Sequence, residues 1–178
     1  VIRSGGLMQV ANTPTINPDL YFGAAGDGTG EALVWANNNT LQINGKIFAS
    51  QVVKSGIAFL NIRSDQSNIA GNWIINGGGL QFLTPDAQGA GEVVINGAHI
   101  TDNDNTLQNN ELRYNFNSGT PDVFTWSGGK ITVNDLGIIR SIAASDRLDQ
   151  LPAIYLKTTG GGHEGLVFFQ ADASRHTI

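Results

Sequence analysis

An Asn-Gly pair follows a short apolar segment three times in this chain, in residues 41–47, 73–77 and 93–100. A fourth, degenerate copy ends in Asn134-Asp135. Asn-Gly between alternating apolar residues is a strong hairpin signal, because a type I′ turn needs positive φ at both central residues. The sequence therefore predicts one local unit used several times, made of a strand, a tight turn and a second strand.

Composition favours turns and strands over solvated helices. Charged residues make up 14% of the chain, against about 25% in ordinary globular proteins, and there are 23 glycines. Hydrophobic residues still make up 40%, which excludes a disordered chain. The 10 Lys and Arg residues are scattered and the net charge is −5, so we expect no nucleic-acid partner. We also expect no membrane insertion, because no run of 18 apolar residues occurs.

The chain has no cysteine, so neither disulfides nor zinc thiolates can rigidify it. Burial between copies is the obvious substitute. A hairpin is marginal on its own and leaves exposed strand edges, and three chains wrapped around one axis would cover those edges. Because the chain begins at Val1 rather than Met, we expect it to be a fragment of a longer polypeptide.

Strand signals dominate the pattern along the chain. Residues 112–117 alternate cleanly, and one short helix is predicted over residues 145–151, with Ser145 as N-cap and Pro152 as the stop. The spacing of the units is uneven, which favours hairpins strung along an axis over a solenoid of fixed repeat length.

The segment Leu41-Gln42-Ile43-Asn44-Gly45-Lys46-Ile47, its partial copy at residues 131–135 and the stretch at residues 152–157 resemble shaft and tip sequences of tailed-bacteriophage tail fibres. This resemblance implies a homotrimer of β chains in the virion that binds a bacterial surface receptor, either a polysaccharide or an outer-membrane protein, and other phage tail proteins.

We therefore expect an all-β fold of short antiparallel hairpins, forming an elongated trimeric fibre segment with a more globular C-terminal part. Residues 1–140 would be the repetitive hairpin region, and residues 141–178 a C-terminal β segment that we expect to be truncated.

No catalytic or metal-binding pattern stands out. The three histidines, His99, His163 and His176, lack metal-ligand spacing, so we expect no metal and no cofactor. A glycosidase would need two facing carboxylates, whereas most candidates fall in turn clusters, where Asp bonds nearby backbone. These candidates are Asp65, Asp86, Glu92, Asp102, Asp104, Glu111 and Asp122.

Loops and an exposed aromatic are the expected receptor contacts. Tryptophans in apolar runs, such as Trp35 and Trp126, are typical of the core, and Trp73 beside a Gly-rich turn is the better candidate for a surface aromatic that stacks on a sugar. Polar loop residues with a neighbouring tyrosine complete the set. The candidate receptor contacts are Trp73, Asn109, Asn110, Tyr114 and His163.

The functional prediction is non-catalytic attachment to a bacterial surface as part of a tail fibre. Two alternatives stay open at this point. One is a tailspike-like domain that degrades polysaccharide, and the other is a monomeric bacterial adhesin or carbohydrate-binding β-sandwich.

Overall fold

The computed structural model describes residues 1–178 except 4, 67, 70, 98–109, 116–122, 143–147, 158–165, 173–174 and 178. Its described residues are all-β, with 19 strands and no helix. No helix in this described part is long and apolar enough to cross a membrane. The strands form two seven-stranded sheets and two smaller sheets, and consecutive strands pass from one sheet to the next in a β-solenoid-like arrangement.

The first sheet contains β1 (Gly6–Gln9), β4 (Glu31–Ala36), β7 (Gln51–Ser55), β9 (Trp73–Ile75), β11 (Val93–Asn96), β14 (Ile131–Asn134) and β17 (Ile154–Lys157). The second sheet contains β2 (Thr15–Ile16), β5 (Leu41–Ile43), β8 (Phe59–Ile62), β10 (Gly79–Phe82), β12 (Glu111–Asn115), β15 (Leu136–Ile142) and β18 (Leu166–Asp172). The smaller sheets pair β3 (Leu20–Tyr21) with β6 (Ile47–Phe48), and β13 (Val123–Thr125) with β16 (Leu148–Gln150) and β19 (Arg175–Thr177).

The expected antiparallel hairpins are wrong. Every strand pair among the described residues is parallel. The chain turns a corner after each strand and enters another sheet. It returns to the sheet that it left only in the next coil. The expected helix over residues 145–151 is also wrong where it can be seen, because Leu148–Gln150 is a strand. The expected division between residues 140 and 141 falls inside β15.

Inward-facing side chains stack on equivalent side chains of the next coil. In the second sheet one row places Leu41, Leu60, Leu80 and Leu112 above one another in register, and all four are buried. Each leucine therefore depends on the coils above and below, since burying such a side chain contributes about 1.5–3 kcal/mol. The alternation predicted for Leu41, Ile43 and Ile47, and for Leu112 and Tyr114, is confirmed by their burial.

The Asn-Gly pairs lie at corners of the coil and are not type I′ turns. Gly45, Gly77 and Gly97 do not adopt positive φ. Glycine is needed at position 45 for another reason, because an added Cβ would lie 2.2 Å from the carbonyl oxygen of Pro18 in the neighbouring coil. Asn44 Nδ2 donates to Asn17 Oδ1 at 2.8 Å. The repeated dipeptide therefore marks a point where two coils come close together.

Replacing Gly45 by Ala should lower the free energy of unfolding by about 1–3 kcal/mol, because the new methyl group overpacks against backbone that cannot move independently. Gly77→Ala is the matched control, since its Cβ would meet its nearest neighbour, Gly56 N, at 3.2 Å and should cost clearly less. Urea unfolding of both variants measures the difference. Equal stability of Gly45→Ala and wild type would show that the close approach to Pro18 is not constraining.

Candidate functional site

The outward side of the first sheet is the most unusual surface of the described chain. Leu33, Val53, Ile74 and Val94 project outward from successive strands in one register row; we call these four residues the apolar stripe. Leu33 is 43% exposed. Val53, Ile74 and Val94 are half-buried. Contiguous apolar surface that water still reaches is typical of interaction sites.

At one end, the stripe widens around two larger side chains. Met8 and Trp35 are register partners beside it, and they are 69% and 47% exposed. A groove of about 280 Å³ opens here between β1, β4 and β7. Trp35 was expected in the core, and this expectation is wrong. It lies on a strand whose alternate residues, Ala32, Val34 and Ala36, take the inward positions.

Polar side chains border the stripe where its strands begin; we call Glu31, Gln51, Glu92 and Lys130 the start rim. Gln51 Nε2 donates to Glu31 Oε1 of the neighbouring coil at 2.5 Å. Glu92 accepts a hydrogen bond from the Thr132 hydroxyl, and Lys130 Nζ lies 3.4 Å from Glu92 Oε2.

A second polar border follows the ends of the same strands; we call Ser55, Asn76, Asn96, Asn134 and Lys157 the end rim. Asn96 Nδ2 donates to Asn76 Oδ1 at 2.6 Å, and Asn134 Nδ2 donates to Asn96 Oδ1 at 2.8 Å. Each amide has two N–H groups, and the bonds of this asparagine ladder use one N–H of Asn96 and one of Asn134. An apolar centre with a polar border is the anatomy of a protein interface.

The predicted receptor contacts that can be seen lie inside the coil. Trp73 and Tyr114 are 0% exposed and Asn110 is 3% exposed, so none of the three presents a surface to a receptor. The expectation that Trp73 is a surface aromatic is therefore corrected. Asn109 and His163 lie outside the described residues.

Trp73 and Tyr114 belong to a buried aromatic chain with Phe82 and Trp126. The ring centroids of Trp73 and Phe82 are 5.3 Å apart, and those of Tyr114 and Trp126 are 4.6 Å apart. Both polar atoms are satisfied by Gln88, because Trp73 Nε1 donates to its carbonyl oxygen at 2.8 Å and the Tyr114 hydroxyl donates to its Oε1 at 2.9 Å. Burial raises the pKa of Tyr114, so the phenol acts as a neutral structural donor.

Asn110 closes a corner between the two large sheets. Its Nδ2 donates to the carbonyl oxygens of Asn96 and Gly97. Part-buried backbone carbonyls at a corner have lost some of their water, and such a donor replaces it. Asn110 is thus a structural residue that holds the coil together.

Replacing Asn110 by Ala should therefore lower the free energy of unfolding by about 1–3 kcal/mol, because it removes the donor to two part-buried carbonyls. Asn76→Ala, at an exposed position at one end of a ladder, is the control and should have a smaller effect. Thermal melting followed by circular dichroism compares the two. An unchanged melting temperature for Asn110→Ala would contradict the structural role.

The carboxylates are committed to structural contacts where they can be seen. Asp86 Oδ1 accepts from the Ser127 hydroxyl at 2.7 Å, and Glu111 pairs with Arg113 at 2.8 Å. The Thr29 hydroxyl donates to Asp27 and lowers the pKa of that carboxyl. Asp102, Asp104 and Asp122 lie outside the described residues. Among the described residues no three His, Cys, Asp or Glu side chains are placed to hold a metal ion.

Lys54 is a buried cation on the inward side of the first sheet. It stands between Val34 and Ile75 in register and is 1% exposed. Its Nζ donates to the carbonyl oxygens of Ser55, Gly56 and Gly77 at 2.7, 2.9 and 2.9 Å. Burial lowers the pKa of Lys54 from its ordinary value of 10.5 to about 7.

The lowered pKa predicts a pH-dependent stability. Between pH 7 and 10.5 the unfolded chain binds a proton at Lys54 that the folded chain lacks, so the free energy of unfolding rises with pH in this window. We expect a rise on the order of 2 kcal/mol from pH 7 to pH 9 relative to Lys54→Met. Urea unfolding at both pH values measures it. Lys157→Met, at an exposed position, should keep the wild-type slope, and an identical slope in Lys54→Met would refute the assignment.

Comparison with protein-family models, curated proteins and solved structures finds no match to this chain.

Proposed function

We propose that this chain is a structural and receptor-binding part of a bacteriophage tail fibre, which assembles as a homotrimer and attaches to a bacterial surface without catalysis. The observation that carries the proposal is the apolar stripe on a parallel sheet. Parallel sheets in proteins are usually covered on both faces, so this outward face is suited to assembly. The sequence resemblance to tail fibres adds the biological setting.

The stacked coil suits a mechanical role. Its strands run across the stacking direction, and successive coils are joined by backbone hydrogen bonds in both large sheets. Buried glutamines extend this bonding through the irregular corners, as when Gln66 Oε1 accepts from Ile47 N at 2.8 Å and its Nε2 donates to Gly45 O at 3.1 Å. Such a segment transmits force and presents loops from a rigid support.

Of the two alternatives, the structure favours neither. The described sheets are parallel and coiled, whereas a carbohydrate-binding sandwich is built from antiparallel sheets. A polysaccharide-degrading domain would need a pair of carboxylates facing a cleft, and Asp86, Glu92 and Glu111 are each engaged by other side chains.

Receptor contact is proposed for the loops between strands. Two loops that the sequence predicts to be rich in polar hydrogen-bonding groups, at residues 102–110 and 158–164, contain Asn109 and His163. Alanine changes at Asn109 and His163 together should weaken attachment while leaving the melting temperature unchanged. Attachment is measured as saturable binding of the fluorescently labelled protein to a panel of Gram-negative cells.

Pretreatment of the cells identifies the receptor class. Periodate oxidation should abolish binding to a polysaccharide, whereas protease treatment should abolish binding to an outer-membrane protein. Failure to bind any strain in the panel, or release of new reducing ends from purified surface polysaccharide, would overturn the proposed function.

A further inference from the structure

The first sheet has an edge strand at each end, and the two edges are complementary. Strand β1 lies at one edge and β17 at the other. We infer that copies of this chain stack head to tail, with β17 of one copy pairing in parallel with β1 of the next. This contact lies along the stacking direction of the coils and does not depend on the homotrimer proposed above.

Exposed apolar side chains are concentrated at these two edges. Eight large apolar side chains of the described residues are exposed; five belong to residues 1–10 or to the adjacent β4, and two belong to β17. One of these two, Leu156, is 53% exposed although its register partner Val133 is fully buried. An inward-facing residue is exposed here because a coil packs against it on one side only.

The backbone of the two edge strands has the phase that parallel pairing needs. The carbonyl of Gln9 is bonded to β4, and the carbonyls of Ala153 and Lys157 are bonded to β14. Successive residues of a strand direct their backbone groups to opposite edges. The residues whose N–H and C=O groups point to the free edges are therefore Gly6, Met8, Ile154 and Leu156.

Placing Leu156 opposite Leu7 of the next copy completes a regular parallel ladder. The Gly6 N–H would donate to the carbonyl of Ile154, and the Leu156 N–H would donate to the carbonyl of Gly6. The Met8 N–H would donate to the carbonyl of Leu156. The two leucines continue one inward row, since Leu7 is the register partner of the buried Val34 and is itself half-buried, so each would cover the other.

The same register places the ring of Tyr155 over Gly6 of the next copy. Tyr155 is 52% exposed and projects outward from β17. Gly6 lines the groove of about 280 Å³ together with Leu33 and Trp35, and this groove has room for one aromatic ring. Tyr155 would therefore be the anchor that fills the groove.

An aromatic ring over a glycine of the next coil already occurs within this molecule. Phe59 of β8 and Gly79 of β10 are register partners. A Cβ added at Gly79 would lie 2.1 Å from Cε1 of Phe59, so the ring occupies the space above the glycine. Tyr155 and Gly6 would repeat this pair with the same polarity, because the aromatic residue precedes the glycine by one coil in both.

One displacement continues both large sheets. Each has seven strands, and the edge strands of the second sheet are β2 and β18. A shift of seven strand spacings, about 34 Å, therefore brings β1 onto β17 and β2 onto β18 together. Because the same shift can be repeated without closing, the expected product is a filament of growing length.

Removing the aromatic anchor tests the contact. In sedimentation velocity, the average mass of wild type should rise continuously from low micromolar to submillimolar concentration. Tyr155→Ala should lower the association constant by about tenfold or more, because it leaves the groove unfilled. Ile57→Ala is the matched control and should associate like wild type, since Ile57 is 59% exposed but lies between β7 and β8, away from both edge strands.

Charge at position 8 tests the register. Lys157 would lie opposite Met8, which is 69% exposed in a single copy. Met8→Glu should therefore strengthen association and Met8→Lys weaken it, each by roughly twofold to fivefold. General repulsion predicts the opposite order, because the net charge of −5 grows in the first variant and falls in the second. Lys157→Glu should reverse the order of the two variants.

The outcomes separate this contact from the proposed function. A wild-type mass fixed at 18.8 kDa at every concentration overturns head-to-tail stacking. A mass fixed at three chains overturns it as well and leaves the homotrimer standing. Tyr155→Ala that associates like wild type, or an order at position 8 that follows net charge, overturns the pairing of β17 with β1. Growing multimers that bind no bacterial cells would leave the stacking standing and overturn the receptor-binding proposal.

Discussion

Parallel, in-register stacking of equivalent side chains is the constraint on which the rest of the structure depends. A single coil of this chain cannot bury its own leucines; Leu60 is covered because Leu41 lies on one side and Leu80 on the other. This stacking fixes which residues of neighbouring coils lie side by side, and it does not fix the number of residues between consecutive strands. Loops of very different length can therefore separate consecutive strands without disturbing the rows, and this explains why the repeats in the sequence are uneven while the coils are regular.

The corners are where polar chemistry is concentrated, because the backbone must turn there without losing its hydrogen bonds. Asparagine ladders, Gln66, Gln88 and the Lys54 ammonium all satisfy backbone or amide groups at these places. A buried carbonyl left without a donor costs about 1–3 kcal/mol, so these side chains are as necessary as the apolar rows. They also make the corners specific, since three of these four bonds join residues of different coils.

The sequence predicted the all-β class and many inward residues, because alternation depends only on which side of a strand faces the core. It did not predict strand direction, since the alternation of Leu41 and Ile43 is the same in parallel and antiparallel sheets. The available signal was in runs such as Trp73-Ile74-Ile75 and Val93-Val94-Ile95, which are apolar on both faces and typical of parallel strands. The Asn-Gly pairs led to the wrong prediction of hairpin turns, because glycine is required where two backbone segments approach closely as well as where φ is positive. The candidate contacts Asn110 and Tyr114 were misplaced because Tyr114 points inward from β12 and Asn110, which directly precedes that strand, is also buried. Their burial depends on contacts with residues distant in sequence.

The inward and outward faces of a strand cannot be set independently, and β7 shows how closely the two are linked. A one-residue slip exchanges the two faces of a strand. Slipping β7 would move Lys54 outward and Val53 inward, which the local preference of those two residues favours. It would also bury Gln51 and Ser55, expose Val52 and break the three carbonyl bonds of the Lys54 ammonium. The native register therefore keeps a charged residue inside and a valine outside, and the straight row of outward apolar side chains exists because the inward rows hold that register.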